Sequence, residues 1–138
     1  LARNVAKNNG KVRRLIAQIL FSEGPMTRAK VCERLHELGM FREVPSESSL
    51  AALISKNTQV VSVGHTKIEL SNGARVHNMV FDVDRELVKE ERDLMLTRPY
   101  SSMTTVERKC AVRCPECRQM RIIEEKFASC LICVRRAV

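Results

Sequence analysis

The sequence predicts an α+β chain, with helices in its first third, a β-hairpin in its middle and a small cysteine-held module near its end. Three observations carry this. Apolar residues recur at helical spacing through Ile54, then alternate between residues 59 and 83. Asn72-Gly73, the commonest two-residue hairpin turn, sits between the two alternating runs. Four cysteines fall as two CxxC pairs, Cys114/Cys117 and Cys130/Cys133, separated by twelve residues.

Taken in order, residues 1–10 are polar, carry Arg3 and Lys7, and read as a flexible basic arm. Val12, Leu15, Ile16, Ile19 and Leu20 then build one apolar face of a helix over 11–21, which Gly24-Pro25 ends. Thr27 is suited to cap a second helix over 28–38, since its hydroxyl can accept from a first-turn amide. Val31, Leu35 and Leu38, with Ala29 or Cys32, are its expected buried face, and Gly39 supplies the left-handed position after its last turn. Residues 40–45 form a connector. Ser46 caps a third helix over 47–56, with Leu50, Leu53 and Ile54 facing inward. Residues 59–63 and 66–70 read as strand with a bulge at Gly64, and 76–83 as the returning strand. Asp84 can cap a fourth, acidic helix over 85–96, with an apolar stripe of Leu87, Val88, Leu94 and Met95. Pro99 and a run of hydroxyl residues mark 98–109 as a linker.

Charge bounds the partners. The 138 residues carry a formal net charge of +8, which fits a polyanionic partner. Residues 1–45 hold nine Lys/Arg against four Asp/Glu, and residues 98–138 the same. Residues 84–97 invert the balance, with three against five. No apolar run approaches the roughly 20 residues of a membrane span. Six cysteines with no secretory leader at Leu1 suit a reducing compartment, so the chain reads as cytoplasmic, or nuclear or nucleoid-associated, and not secreted.

Two CxxC pairs at this separation have the spacing of a tetrahedral Cys₄ site for one zinc ion. Each pair turns tightly enough to aim two sulfurs at one point. Four thiolates complete the shell, so the metal is expected to be structural. Two disulfides would need an oxidising compartment, and a redox CxxC would need a βαβ setting. Residues 118–129 contain no histidine; 119–125 and 126–129 are expected as two short strands joining the pairs, which describes a zinc ribbon over 110–138. Its cations include Arg108, Lys109, Arg113, Arg118, Arg121, Lys126, Arg135 and Arg136, and Arg118 and Arg121 are candidates for phosphate contact. Cys110 lies outside the CxxC pattern, and Cys32 reads as a small core hydrophobe.

Three helices followed by a hairpin resemble a winged helix-turn-helix domain over residues 11–83. "MTRAKVCERLHELG" and "PSESSLAALISKN" are similar to its helix pair, and "VVSVGHTKIELSNGARVHNMVFDV" to its wing. The whole chain resembles transcription proteins that couple a winged helix to a zinc ribbon. This resemblance implies a DNA-binding transcriptional regulator whose third helix enters the major groove. It implies base or phosphate contacts from Ser48 and Ser49, backbone contacts from Lys56 and Asn57, wing contacts from Lys67, Asn72 or Arg75, and phosphate contacts from Arg28 and Lys30. Duplex DNA and RNA polymerase or another transcription protein are the implied partners. One departure stands out: the third helix has no arginine between Glu47 and Ile54, so the commonest base contact, arginine on guanine, is missing.

A protein-interaction adaptor is the competing reading, with residues 84–97 as a docking or homodimer face. An enzyme is not expected. The sequence shows no paired carboxylates with a histidine, no phosphate-binding glycine loop and no nucleophile beside a base. His65 and His77 both fall in the hairpin and read as surface residues.

Overall fold

Val12, Ile16, Ala17, Ile19 and Leu20 line the buried face of a helix that runs past both of its expected ends, α1 (Ala2–Glu23). The computed structural model describes residues 2–40, 43 and 45–137, with side chains for all of these except 2–8 and 68. The flexible arm expected at 1–10 is corrected, since residues 2–10 continue α1. Gly10 weakens a helix locally, but here the helix passes close to another segment. A Cβ at Gly10 would lie 3.3 Å from the Ser101 carbonyl oxygen. The side chains of Arg3 and Lys7, and much of the 40–45 connector, lie outside the described residues.

Two short helices pack on α1. In α2 (Arg28–Leu38), Thr27 caps by accepting from the Lys30 amide, and Gly39 takes the left-handed conformation (φ 61°) that closes the last turn. Val31 and Leu35 are buried, whereas Ala29 and Leu38 are exposed, which narrows the expected face. In α3 (Glu47–Ser55), the Ser46 hydroxyl accepts from the Ser49 amide, and Leu50, Leu53 and Ile54 point inward. Full burial of a side chain of this size stabilises by about 1.5–3 kcal/mol. The exposed Arg28–Glu47 ion pair between the starts of α2 and α3 contributes about 1 kcal/mol at most. The apolar face therefore sets the helix arrangement, and the ion pair trims it.

The sheet has the order β1-β3-β2. Strands β2 (Val60–Glu69) and β3 (Arg75–Val83) form the hairpin, with the expected irregularity between Ser62 and Gly64 and the turn at Asn72-Gly73. The short β1 (Met26–Thr27) adds to the edge of β3, pairing Met26 with Phe81. Burial along β3 rises from exposed at Arg75 to buried at Val83, so only the base of the hairpin joins the core.

Residues 84–97 correct the expected acidic helix. Only α4 (Asp93–Leu96) is helical. Asp84 accepts from the Glu86 amide, the cap bond expected of it, but only a single turn follows. The Asp93 carboxylate then takes the Lys89 and Glu90 amides, at 2.9 Å each, which a continuous helix would have bonded to backbone carbonyls. Leu87, Val88 and Leu94 are buried in the chain's own core, so the apolar stripe offered to a second copy is already covered. The expected 98–109 linker is also ordered. A 3₁₀ turn (Tyr100–Ser102) leads into α5 (Thr105–Cys110), whose start is a capping box of Thr104 and Glu107. Glu107 also pairs with Arg98 at 2.5 Å, with both side chains mostly buried.

Buried polar groups fasten these parts. Asn57 donates to the Arg13 carbonyl and accepts from the Gln59 amide. Gln59 donates to the Leu94 carbonyl and the Thr97 hydroxyl. Asp93, 1 % exposed, also accepts from the Arg135 guanidinium at 2.7 Å. Burial alone would raise the Asp93 carboxyl, but Arg135 and the Glu90 and Lys89 amides outweigh it and hold it below the ordinary value. A depressed folded-state pKa gives stability above the unfolded value, lost as pH falls through the folded value. Asp93→Asn is expected to destabilise the chain by about 3 kcal/mol at neutral pH, because it leaves Arg135 without its counter-charge. It should also flatten the acid limb of a plot of denaturant-derived stability against pH; an unchanged acid limb would show that Asp93 does not carry it.

Candidate metal centre and candidate nucleic-acid face

The first CxxC pair lies in a knuckle between β4 (Val112–Arg113) and β5 (Met120–Arg121), which pair antiparallel. The Arg118 amide donates to the Cys114 carbonyl and the Cys114 amide to the Gln119 carbonyl, closing the turn. The second pair opens α6 (Leu131–Arg136), with Cys130 at its N-cap. This corrects the expected ribbon. The two-stranded element flanks the first pair instead of filling the gap between pairs, and a helix follows the second.

The four sulfurs of Cys114, Cys117, Cys130 and Cys133 all lie within 4.8 Å of one another. Cys114–Cys133 is 3.9 Å, Cys117–Cys130 is 3.8 Å and Cys130–Cys133 is 3.5 Å. A tetrahedron with metal–sulfur bonds of about 2.3 Å has edges of about 3.8 Å, so the cluster fits a metal ion. A disulfide needs sulfurs about 2.05 Å apart, and all six cysteines are free thiols.

The electrostatics favour a cation at the centre. Burial pushes the Cys114 thiol up, but the amides of Cys117, Cys130 and Glu116 outweigh it and hold the thiol down at about 6. Burial and then the sulfurs of Cys130, Cys117 and Cys114 push Cys133 up to about 12. Four sulfurs this close resist ionising together, and a dication supplies the missing counter-charge.

The cluster is built into the body of the protein. Cys114, Cys130 and Ile132 belong to the same buried core as Leu87, Val88 and Leu94. Arg135 of α6 donates to the Leu87 carbonyl as well as to Asp93. Sequence reasoning grouped Arg135 with the surface cations of this module, because no local pattern announces a partner 42 residues away.

The residues proposed for DNA fall in three places. Ser48 and Ser49 are exposed on the first turn of α3, beside Arg28 and Lys30 at the start of α2. Arg28 meets Glu47 at 3.5 Å and Lys30 meets Glu33 at 3.3 Å, so both are partly neutralised. Lys67, Asn72 and Arg75 are exposed on the outer hairpin, where the His65 and His77 rings meet edge-on, 6.5 Å apart. Lys56 is exposed at the end of α3. Asn57 is corrected: it is 2 % exposed and holds the α1 backbone, so it cannot reach a phosphate. Arg118 is exposed on the cysteine knuckle, and Arg121 is half-buried behind it.

No protein family and no curated protein sequence matches the chain. Among solved structures it is similar to a candidate nucleic acid binding protein from an uncultured marine organism, at 18% identity and a TM-score of 0.49. That match covers 60% of this chain and 88% of the other.

Two outcomes test the metal centre. Purified protein is expected to hold one metal ion per chain by elemental analysis, and Cys114→Ser to lose it with a fall in thermal midpoint; a metal-free sample of unchanged stability would exclude the centre. Arg118 has a φ of 64°, a conformation costly for any residue with a Cβ. Arg118→Gly is therefore expected to stabilise the knuckle by about 1 kcal/mol, read as a higher chelator concentration for half-release of the metal.

Proposed function

We propose that the chain is a duplex-DNA-binding transcriptional regulator of the winged-helix type, with one structural zinc ion in its cysteine cluster. The observation that carries this reading is the arrangement of α3 and the hairpin. The apolar face of α3 is anchored on the core, its first turn is open with Ser48 and Ser49, and the hairpin projects beyond the core with Lys67 and Arg75 near its tip. In this reading α3 enters the major groove by its N-terminal turn and the hairpin lies on a neighbouring phosphate. Arg28, Lys30, Lys56 and Arg118 add phosphate contacts. Without an arginine on α3, most of the affinity comes from phosphates, and base discrimination is modest.

Zinc fits the donor set, because four thiolates suit a borderline-soft ion and fill a tetrahedral shell. With no position left for water, the centre holds the fold together and does no chemistry of its own. Free thiols throughout fit a reducing compartment.

A second reading, protein docking, is favoured by the apolar side chains exposed on the hairpin, Val63, Leu70 and Met79. Duplex binding separates the two. The DNA reading expects affinity to fall steeply with salt, and the combined replacement of Arg28, Lys30 and Arg75 by alanine to weaken binding more than about tenfold and reduce the salt slope by about 2–3. Binding that ignores both salt and these residues would leave the docking reading in its place.

A further inference from the structure

A polar cleft of about 540 Å³ opens where α1 passes the 3₁₀ turn and α5. Its lining includes Gly10, Lys11, Arg14, Thr104, Thr105 and Arg108. None of these belongs to the DNA face described above. We propose that this cleft is a second site, and that it binds a phosphoryl group.

Three features carry the proposal. The first is the state of its arginines. Arg34, Arg85, Arg92, Arg98 and Arg135 are all held by carboxylates. Arg14 and Arg108 form no ion pair among the described residues. Backbone carbonyls position them instead: Arg14 donates to Ser102 at 2.8 Å, and Arg108 donates to Tyr100 at 3.2 Å and to Ser101 at 3.3 Å. Arg108 also rests on the Tyr100 ring, 5.0 Å from its centroid. Carbonyls fix the direction of a guanidinium without cancelling its charge, so both forks are set before any ligand arrives.

The second feature is the local field. Burial, and then the nearby Arg98 and Arg108 guanidiniums, disfavour the charge on Arg14, with Glu107 opposing them. Among the described residues, Glu107 is the carboxylate that acts on Arg14, and it is engaged by Arg98 and by the Thr104 amide. Lys11 lines the cleft with its ammonium group donating to the Met40 carbonyl, so the excess rests on Arg14 and Arg108. An excess of positive charge therefore faces the cleft and calls for an anion with more than one negative charge.

The third feature is the shape and the remaining donors. Gly10 lets α1 pass close to the cleft wall, since a Cβ there would lie 3.3 Å from the Ser101 carbonyl oxygen. The Thr104 hydroxyl is already accepting the Glu107 amide, but the Thr105 side chain is exposed at the mouth. Guanidinium forks with a hydroxyl match the oxygens of a phosphate ester or a diphosphate. A small phosphate ester and a phosphate of a nucleic-acid backbone offer the same chemistry.

The test is amide NMR on the full chain, titrated at low salt with pyrophosphate in one arm and with a short DNA duplex in the other. Saturable shifts at Gly10, Lys11, Ser101 and Thr105 are expected with pyrophosphate, with the duplex, or with both. Pyrophosphate alone identifies a small ester as the ligand, whereas the duplex identifies the backbone. Arg108→Gln should weaken the binding about tenfold or more, while Arg136→Gln, an equal loss of charge at an exposed position elsewhere, should change it less than about twofold. Thermal unfolding of both variants checks that each is folded, and Arg14→Gln provides a second probe of the same cleft. The proposal is overturned if neither ligand gives saturable shifts at these amides, or if Arg136→Gln weakens binding as much as Arg108→Gln.

Discussion

Asp93 joins the segment 84–97 to the last helix of the chain. Its carboxylate accepts two amides of its own segment and a guanidinium from α6, and it is almost wholly out of water. A buried carboxylate with fewer partners would be a liability of several kcal/mol, on the order of what holds a small domain folded. With all three donors it becomes a fixed point. The segment 84–97 is shaped around it, and α6, which carries Cys133, is held against that segment. The cysteine cluster is consequently part of the core, with Cys114 and Cys130 fully buried beside Leu87 and Val88. Metal capture and packing of the body draw on the same contacts, so they are coupled.

That coupling also sorts the charges. The formal excess of +8 already nets out the carboxylates, so the ion pairs decide where that excess is exposed and not how large it is. Arg34 bridges Glu23 and Glu37, Arg85 is held by Asp82, and Arg98 by Glu107. These cations tie elements together. Lys56, Lys67, Arg75, Arg118, Arg14 and Arg108 form no ion pair among the described residues, and they lie on separate surfaces: the end of α3, the hairpin, the cysteine knuckle, and the cleft beside Gly10.

Local chemistry was legible in the sequence. Thr27, Ser46 and Gly39 cap the helices as their types require, the strand irregularity falls at Val63, one residue before the expected Gly64, and Asn72-Gly73 turns the hairpin. The two CxxC pairs meet because each is a tight turn whose sulfurs diverge little. What was not legible depends on partners far along the chain. The two-residue β1 exists because β3 offers it an edge. Residues 84–97 have a helical pattern of leucines, yet the Asp93 carboxylate captures two of the amides a helix would use. Arg135 gives no sign of Asp93. One local signal was present and passed over: Thr104 and Glu107 spell a capping box, and the Pro99 before them drew the reading toward a linker. Asn57 looked like a polar tip to α3 and is instead a buried clasp on α1, a difference only the packed backbone reveals.

The hairpin behaves as a cantilever. It is clamped where Val83 and Phe81 enter the core and where β1 lines its edge, and it is bare on both faces beyond that point. Such a beam bends and twists at little cost, and the irregularity near Gly64 is where it yields most readily. The gap between its tip and α3 is therefore not a fixed ruler. Whatever molecule grips both ends chooses the gap, and part of its binding free energy goes into stilling the beam.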